Sequence, residues 1–236
     1  MVNLSKRMEA IVSLIGDNAR VCDVGCDHGF VSIALIERGI ASGAVLMDVN
    51  KGPLARAKEN AALYGVADKC NFILSDGLAK YTKGLANTLI IAGMGGPLIQ
   101  RILIEGGDKI SDFDTMVLSP QSEIKEFRIF LSEKGFVITD EDMVFEDGKF
   151  YQIIKVGKTK NGNIMLTRAE ASYGPVLLKK KHKVLKEFLL KEREKNDILL
   201  CKLGSLSENN DIKNRIADIK AELSDIELAL SCVGQD

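Results

Sequence analysis

The sequence predicts an α/β fold: a mostly parallel sheet with helices on both faces, finished by an antiparallel hairpin and followed by a basic helical arm. Three observations predict it. Up to residue 157, short apolar runs of β-like composition alternate with helical stretches, which is the pattern that right-handed βαβ crossovers require. Glu146-Asp147-Gly148 then separates two longer runs, and an Asp-Gly pair in that position is a strong hairpin signal. Beyond the polar segment Lys158-Thr159-Lys160-Asn161-Gly162-Asn163 the helical period takes over.

A chain of 236 residues corresponds to one large domain or a domain with an appendage. With 46% hydrophobic and 28% charged residues it can bury a proper core, and a disordered chain is excluded. The five cysteines, Cys22, Cys26, Cys70, Cys201 and Cys232, are odd in number and form no Cys-x-x-Cys pair, as expected for reduced thiols in a cytoplasm. Met1 to Arg7 holds no apolar run before a cleavage site, and no stretch of about 18 apolar residues occurs, so neither export nor a membrane is expected. The net charge of −1 is uneven: residues 1–157 carry 17 Lys+Arg against 21 Asp+Glu, a net of −4, and 158–236 carry 15 against 12, a net of +3. We therefore divide the chain into a domain over 1–160 and an arm over 161–236.

Leu4, Met8, Ile11, Val12 and Ile15 form a helical stripe that Gly16-Asp17 ends. Strands are expected at Arg20–Val24, Ala44–Val49, Cys70–Leu74, Thr88–Ala92 and Thr115–Leu118, with helices at about 30–36, 53–64, 97–105 and 122–134 between them. Phe136–Phe145 and Lys149–Val156 make the hairpin. From Tyr173-Gly174-Pro175 the chain reads as one helix with Val184, Leu185, Phe188 and Leu189 on a face, broken at Gly204-Ser205. In the next helix Ile212, Ile216, Ile219, Leu223, Ile226 and Leu230 are spaced 4, 3, 4, 3 and 4, the a/d seam of a coiled coil. An antiparallel hairpin in cis is the simplest partner and implies a monomer; a dimer in trans is the other reading.

The first strand exits into Asp23-Val24-Gly25-Cys26-Asp27-His28-Gly29. Glycines at a strand-to-helix turn permit positive φ and close approach of a ligand, and the helix start presents free N–H groups. Asp48 ends the second strand 25 residues after Asp23, where an acid can accept both ribose hydroxyls of a nucleoside. Ser75-Asp76-Gly77 ends the third, where a carboxylate can meet an adenine amino group. Three acids at the carboxyl ends of successive strands share the rim on which open α/β sheets bind ligands. A pyrophosphate would not suit a loop carrying Asp23 and Asp27, whereas a sulfonium cation would.

Five parallel strands followed by a terminal hairpin resemble the class I S-adenosylmethionine-dependent methyltransferase fold. The resemblance narrows at Leu4-Ser5-Lys6-Arg7, Asp23-Val24-Gly25-Cys26-Asp27-His28, Gly52-Pro53, Asp76-Gly77, Gly93-Met94-Gly95-Gly96 and the basic helical C-terminus, which look like the TrmK family. It covers nearly the whole chain and implies an enzyme that uses S-adenosyl-L-methionine to methylate N1 of adenine 22 in tRNA. After the fifth strand the family tends to show Gln-Pro-Asn; here Ser119-Pro120-Gln121 stands, so an amide contact from that loop falls to Gln121.

Adenine N1 carries an in-plane lone pair at pH 7, so methyl transfer needs orientation and charge stabilisation more than a strong base. The expected catalytic set is Asp27, His28, Gly93, Met94, Gly95 and Gly96. Asp27 binds the adenine amino group or offsets its developing charge, His28 positions the base, and the glycine turn leaves room for a flipped base. The plainer alternatives are a helix N-cap for Asp27 and an ordinary loop side chain for His28. The expected cofactor set is Asp23, Gly25, Cys26, Gly29, Asp48, Val49, Asp76, Gly77 and Arg7. Arg7 pairs with the methionine carboxylate or an RNA phosphate, or is a solvated helix charge. Lys179, Lys180, Lys181, Lys183, Lys186 and Arg193 are the expected RNA-binding residues, in a stretch whose eight cations outnumber its three acids. A solvated face is the alternative. His182 has no neighbours spaced for a metal, and none is expected. Other readings are a small-metabolite methyltransferase, which leaves the arm without purpose, and a non-catalytic RNA-binding protein of the same fold.

Overall fold

The computed structural model describes residues 1–158, 165–205 and 210–234, arranged as two compact units, Met1–Met165 and Leu166–Asp236. The sequence-based boundary at 160/161, with most of the polar segment that suggested it, lies outside the described residues.

The first unit runs α1 (Lys6–Ser13), β1 (Ala19–Val24), α2 (Phe30–Glu37), β2 (Ala41–Asp48), α3 (Lys51–Leu63), β3 (Cys70–Leu74), β4 (Thr88–Met94), α4 (Gly96–Gly106), β5 (Thr115–Pro120), α5 (Ile124–Glu133), β6 (Phe136–Glu146) and β7 (Lys149–Lys158). The strands form one seven-stranded sheet of order β3-β2-β1-β4-β5-β7-β6. β1 to β5 are parallel, and β7 enters antiparallel between β5 and β6.

Strands buried on both faces read as continuous apolar runs, and β1, β2, β4 and β5 do. The two-residue alternation then sorts their side chains. Val21, Leu46, Ile90 and Val117 join the core beneath α1, α2 and α3. Cys22, Val45, Met47, Leu89, Ile91, Met116 and Leu118 join the core beneath α4 and α5. Asp147 (φ 49°) and Gly148 (φ 78°) both take positive φ at the hairpin turn, while Glu146 pairs with Lys149. This is the two-residue geometry whose twist matches that of the strands, and it is why an Asp-Gly pair predicts the turn.

Joining the reversed strands to the sheet is a buried polar cluster. Arg128 on α5 and Glu141 on β6 are both fully buried, with Nε donating to Oε1 at 2.9 Å, and Arg128 also donates to Gln152 Oε1 on β7 at 2.5 Å. Such a pair adds little net stability over an apolar one, but removing one partner strands a charge in the interior. Arg128→Met is expected to lower the unfolding free energy by about 3–5 kcal/mol, read from urea denaturation followed by circular dichroism.

The second unit contains α6 (Arg168–Tyr173), α7 (Pro175–Lys179), α8 (Lys183–Gly204) and α9 (Asn210–Val233). One expectation is corrected here. The single helix expected from Tyr173 to Gly204 is broken at Lys180–His182, and a helix precedes it, started by a Thr167/Glu170 capping box. The break is a Schellman turn: Lys181 has φ 50°, its N–H donates to Leu178 O, and the His182 N–H donates to Leu177 O. Lysine holds the left-handed position that glycine usually marks, so the stop left no trace in the sequence.

The expected seam on α9 is buried over part of its length. Ile219, Ile226, Ala229 and Val233 are buried, whereas Ile212 and Ile216 are only half-buried, and α6 and α7 pack against α9 as well as α8 does. Arg193 to Glu227 (3.3 Å) and Asn196 to Glu222 (3.4 Å) run in opposite chain directions, which makes α8 and α9 an antiparallel pair. Among the described residues no helix is long and apolar enough to cross a membrane.

Candidate functional site

Strand order reverses between β1 and β4, since β1 continues towards β2 and β4 towards β5. Connections therefore leave in opposite directions and open a crevice at the carboxyl ends of the strands, the place where doubly wound sheets take ligands. Here the crevice is about 690 Å³. Of the expected residues it brings together Arg7, Asp23, Gly25, Cys26, Asp27, His28, Asp48, Val49, Asp76, Gly77, Gly93 and Met94, as well as Gln121. Gly29, Gly95 and Gly96 are not among its walls.

Asp23 is one of two buried members of the acid set. It leaves 6% of its surface exposed and accepts the Ser32 hydroxyl at Oδ2, 2.7 Å away. Burial pushes its carboxyl up to about 6; the Ser32 hydrogen bond draws it down, and the Asp48 carboxylate pushes it further up. Asp48, also buried, accepts the Asn50 N–H at Oδ1 (2.8 Å), while Oδ2 has no hydrogen bond among the described residues. Asp76 is exposed and holds Arg101 of α4 at 3.1 Å, an ion pair between two walls of the crevice. Val49 keeps 61% of its surface exposed beside Asp48, an apolar surface a flat ring can cover.

The loop after β1 is fixed by backbone. Gly25 and Cys26 both donate to Met47 O, at 2.8 and 3.1 Å. Gly25 takes φ 74°, a left-handed conformation that favours glycine, and the Met94 methyl packs into the space where a Cβ would stand. Gly29 (φ 74°) starts α2 with no side-chain cap, and its missing Cβ admits Leu46 and Ala57 beneath the turn. The N-cap alternative for Asp27 thus fails. Asp27 sits at φ 47° with its carboxylate 3.6 Å from Arg56 and 3.7 Å from His28 Nε2. His28 stacks on Phe30 at 5.6 Å with an interplanar angle of 7°, and Asn60 Nδ2 donates to its carbonyl at 2.9 Å.

The glycine run after β4 divides in two. Gly93 (φ 80°) lies at a register shift in the β4–β5 pairing and opens on the crevice beside Gln121, whose N–H donates to Met94 O. Gly95 and Gly96 turn the other way: a Cβ on either would strike Ser122, at 2.9 Å from Oγ and 2.6 Å from the carbonyl oxygen respectively. Their smallness serves the packing of α4 onto the loop after β5 instead of leaving room for a base. Cys26 lines the crevice, but burial and then Asp23 and Asp48 push its thiol far above its ordinary value, so it is no nucleophile. Among the described residues no group of three or more His, Cys, Asp or Glu side chains is placed to hold a metal ion.

Residues 4–154 match the family described as "Methyltransferase domain". The Bacillus subtilis (strain 168) tRNA (adenine(22)-N(1))-methyltransferase is 27% identical over 222 residues, 92% of this chain and 93% of that protein. Streptococcus pneumoniae Sp1610, solved in complex with S-adenosyl-L-methionine, is 31% identical with a TM-score of 0.85, covering 97% of this chain and 100% of that one. The solved B. subtilis M1A22 tRNA methyltransferase TrmK is 25% identical with a TM-score of 0.84, over 98% of this chain and 100% of that one. The chain belongs to the TrmK family. The TrmK-like fold thus spans both units.

Several walls of this TrmK-family crevice lie outside the residues expected there: Met8 and Ile11 of α1, Asn50, and Leu98, Arg101 and Ile102 of α4. The last three follow one helical face from the glycine run, a spacing that was available. In the second unit Lys179, Lys180, Lys181 and Lys183 are exposed around the α7–α8 turn and Lys186 is half-buried. Arg193 instead joins α8 to α9 through Glu227.

Burial of Asp23 carries a testable cost. An acid whose folded value lies above its ordinary 3.8 binds more protons folded than unfolded, so its contribution to stability falls as pH rises from about 4 to about 6. Above that window the cost of burying the ionised carboxyl is about 3 kcal/mol. Asp23→Asn is expected to raise the thermal midpoint at pH 8, with the gain shrinking as pH falls from 6 to 4; a gain independent of pH, or a loss, contradicts this.

Proposed function

We propose that this chain transfers the methyl group of S-adenosyl-L-methionine to N1 of adenine 22 in tRNA. The observation that carries the reading is the acid-rimmed crevice at the β1/β4 reversal, in a chain similar over nearly its whole length to an enzyme of that activity. The residues present fit the donor. Asp48 offers an oxygen to ribose hydroxyls, Asp76 an acceptor to the adenine amino group, Val49 an apolar surface to the ring, and Asp23 a carboxylate to the cationic amino-acid end. Gly25, Cys26, Gly29 and Gly77 form the turns on which it rests.

When bound, the donor supplies an electrophilic methyl: a bond forms from N1 to that carbon as the carbon–sulfur bond breaks, and the electron pair stays on sulfur. The chain's residues need take no proton from N1. His28, already stacked on Phe30, presents a planar ring for a base. Asp27, half-neutralised by Arg56, is the carboxylate that offsets charge arising on the target adenine or accepts its amino group. Gly93 gives the base access, Met94 bounds its approach, and Gln121 supplies the amide of the loop after β5. Gly95 and Gly96 act through packing.

Lys179, Lys180, Lys181, Lys183 and Lys186 attract the phosphate backbone, with Arg193 contributing only when its pair with Glu227 opens. We read the chain as a monomer, because α9 buries its apolar residues against helices of its own unit. A tRNA substrate and five free cysteines support action in the cytoplasm.

Incubation with S-adenosyl-L-methionine and tRNA transcripts bearing adenine or guanine at position 22, followed by nucleoside mass analysis, tests the reading. N1-methyladenosine is expected from the first transcript and not the second; equal methylation of both, or of neither, contradicts it.

A further inference from the structure

Methyl transfer to a ring nitrogen moves a positive charge. The N1–carbon bond forms from the ring lone pair while the carbon–sulfur bond breaks with its electrons left on sulfur. A sulfonium thus becomes a neutral thioether, and a neutral adenine becomes a cation. A carboxylate that steadies this charge as it arises also holds the finished product. Of the four acids that line the crevice, Asp23 and Asp48 are buried and Asp76 is closed by Arg101 at 3.1 Å. Asp27 is the one left open.

Its pairing is unusual. Asp27 is exposed, and its Oδ1 lies 3.6 Å from Arg56 and 3.7 Å from His28 Nε2, both beyond hydrogen-bond length. Its carboxylate accepts no hydrogen bond among the described residues. Elsewhere on this unit an exposed arginine pair is closed: Arg38 grips Glu9 through two bonds of 2.7 Å. Arg7, the other arginine of the crevice, lies over the Tyr151 ring of β7, with Cζ 4.9 Å from the centroid. Arg56 projects from the second turn of α3 and is not among the crevice walls. It therefore subtracts from the field of Asp27 without occupying the carboxylate's lone pairs, which stay available to a base.

We propose that Arg56 sets the balance between substrate and product at Asp27: standing 3.6 Å off, it weakens the hold on the N1-methyladenine cation more than the hold on neutral adenine. A fixed cation repels a charged base and leaves an uncharged one nearly untouched, so it selects by charge. The proposal rests on the adenine-N1 reading above and adds to it the residue that lets a cationic product leave. Arg56 is a positioning residue, acting through Asp27 from outside the crevice walls.

The probes are two tRNA transcripts, one with adenine and one with N1-methyladenine at position 22. Each is titrated onto the full chain saturated with S-adenosylhomocysteine, whose neutral sulfur permits no transfer. Wild type is compared with Arg56→Gln, Arg56→Lys, Asp27→Asn and the double variant Asp27→Asn/Arg56→Gln, each checked for an unchanged thermal midpoint. Arg56→Gln is expected to raise affinity for the methylated transcript over the unmethylated one by about threefold to fivefold, the size of one exposed charge interaction. Arg56→Lys is expected to keep the wild-type ratio, and the Asp27→Asn background to abolish the shift. A ratio unchanged by Arg56→Gln overturns the proposal: equal weakening of both transcripts makes Arg56 a phosphate contact, and no change in either leaves a surface ion pair. A shift that persists in the Asp27→Asn background overturns it too. If the wild-type chain does not methylate the adenine transcript from S-adenosyl-L-methionine, the adenine-N1 reading fails and the proposal falls with it. If it does and only the ratio is flat, that reading stands and Arg56 alone is wrong.

Discussion

A carboxylate kept out of water at the point where strand order reverses is the constraint around which this fold is arranged. Asp23 reaches that point because β1 is an interior strand, covered on both faces and paired with β2 and β4. In such a place an ionised acid costs stability unless a cation offsets it, and Ser32 supplies only one hydrogen bond. The protein carries the cost in its unliganded state, which is the usual relation between a binding site and the stability of the scaffold around it.

The rest of the crevice is built from turns that keep the space beside that carboxylate open. Gly25 holds the β1 turn at a positive φ, with the Met94 methyl lying where a side chain would be. The register shift at Gly93 lets β4 end in a turn instead of continuing into the ligand space, and Gly95 and Gly96 let α4 begin tight against the loop after β5. Asp48 and Asp76 then occupy the same rim, one strand apart each, at the ordinary spacing of a parallel sheet. The buried Arg128–Glu141–Gln152 cluster fastens β6 and β7 beyond β5, on the edge from which Tyr151 covers Arg7.

Much of this was legible in the sequence, for physical reasons that can be named. Fully buried parallel strands leave apolar runs, so β1, β2, β4 and β5 were placed within a few residues. The mirror-image turn of a hairpin leaves Asp-Gly, so the antiparallel end of the sheet was placed too. The acids were visible because strand ends put them on a common rim. What escaped were features that depend on three-dimensional neighbours. Nothing in Gly93-Met94-Gly95-Gly96 says which glycine faces the ligand and which faces Ser122. Arg101 and Tyr151 are brought to the site by a helix face and a distant strand. The stop between α7 and α8 was hidden because a lysine occupies the left-handed position. The heptad spacing of α9 did not show that α6 and α7 also pack against it, nor that its first two isoleucines are left half-exposed.

The central claim is that the ionised, buried Asp23 faces the cationic end of the methyl donor. Calorimetric titration of S-adenosyl-L-methionine from pH 8 down to pH 5 tests it most directly, since the donor's ammonium stays protonated below neutrality while Asp23 takes up its proton near 6. The account predicts that affinity weakens by up to about tenfold per pH unit below 6 in the wild type, with protons released on binding, and that Asp23→Asn binds weakly at every pH. An affinity that is flat across this range, or undiminished in Asp23→Asn, would contradict it.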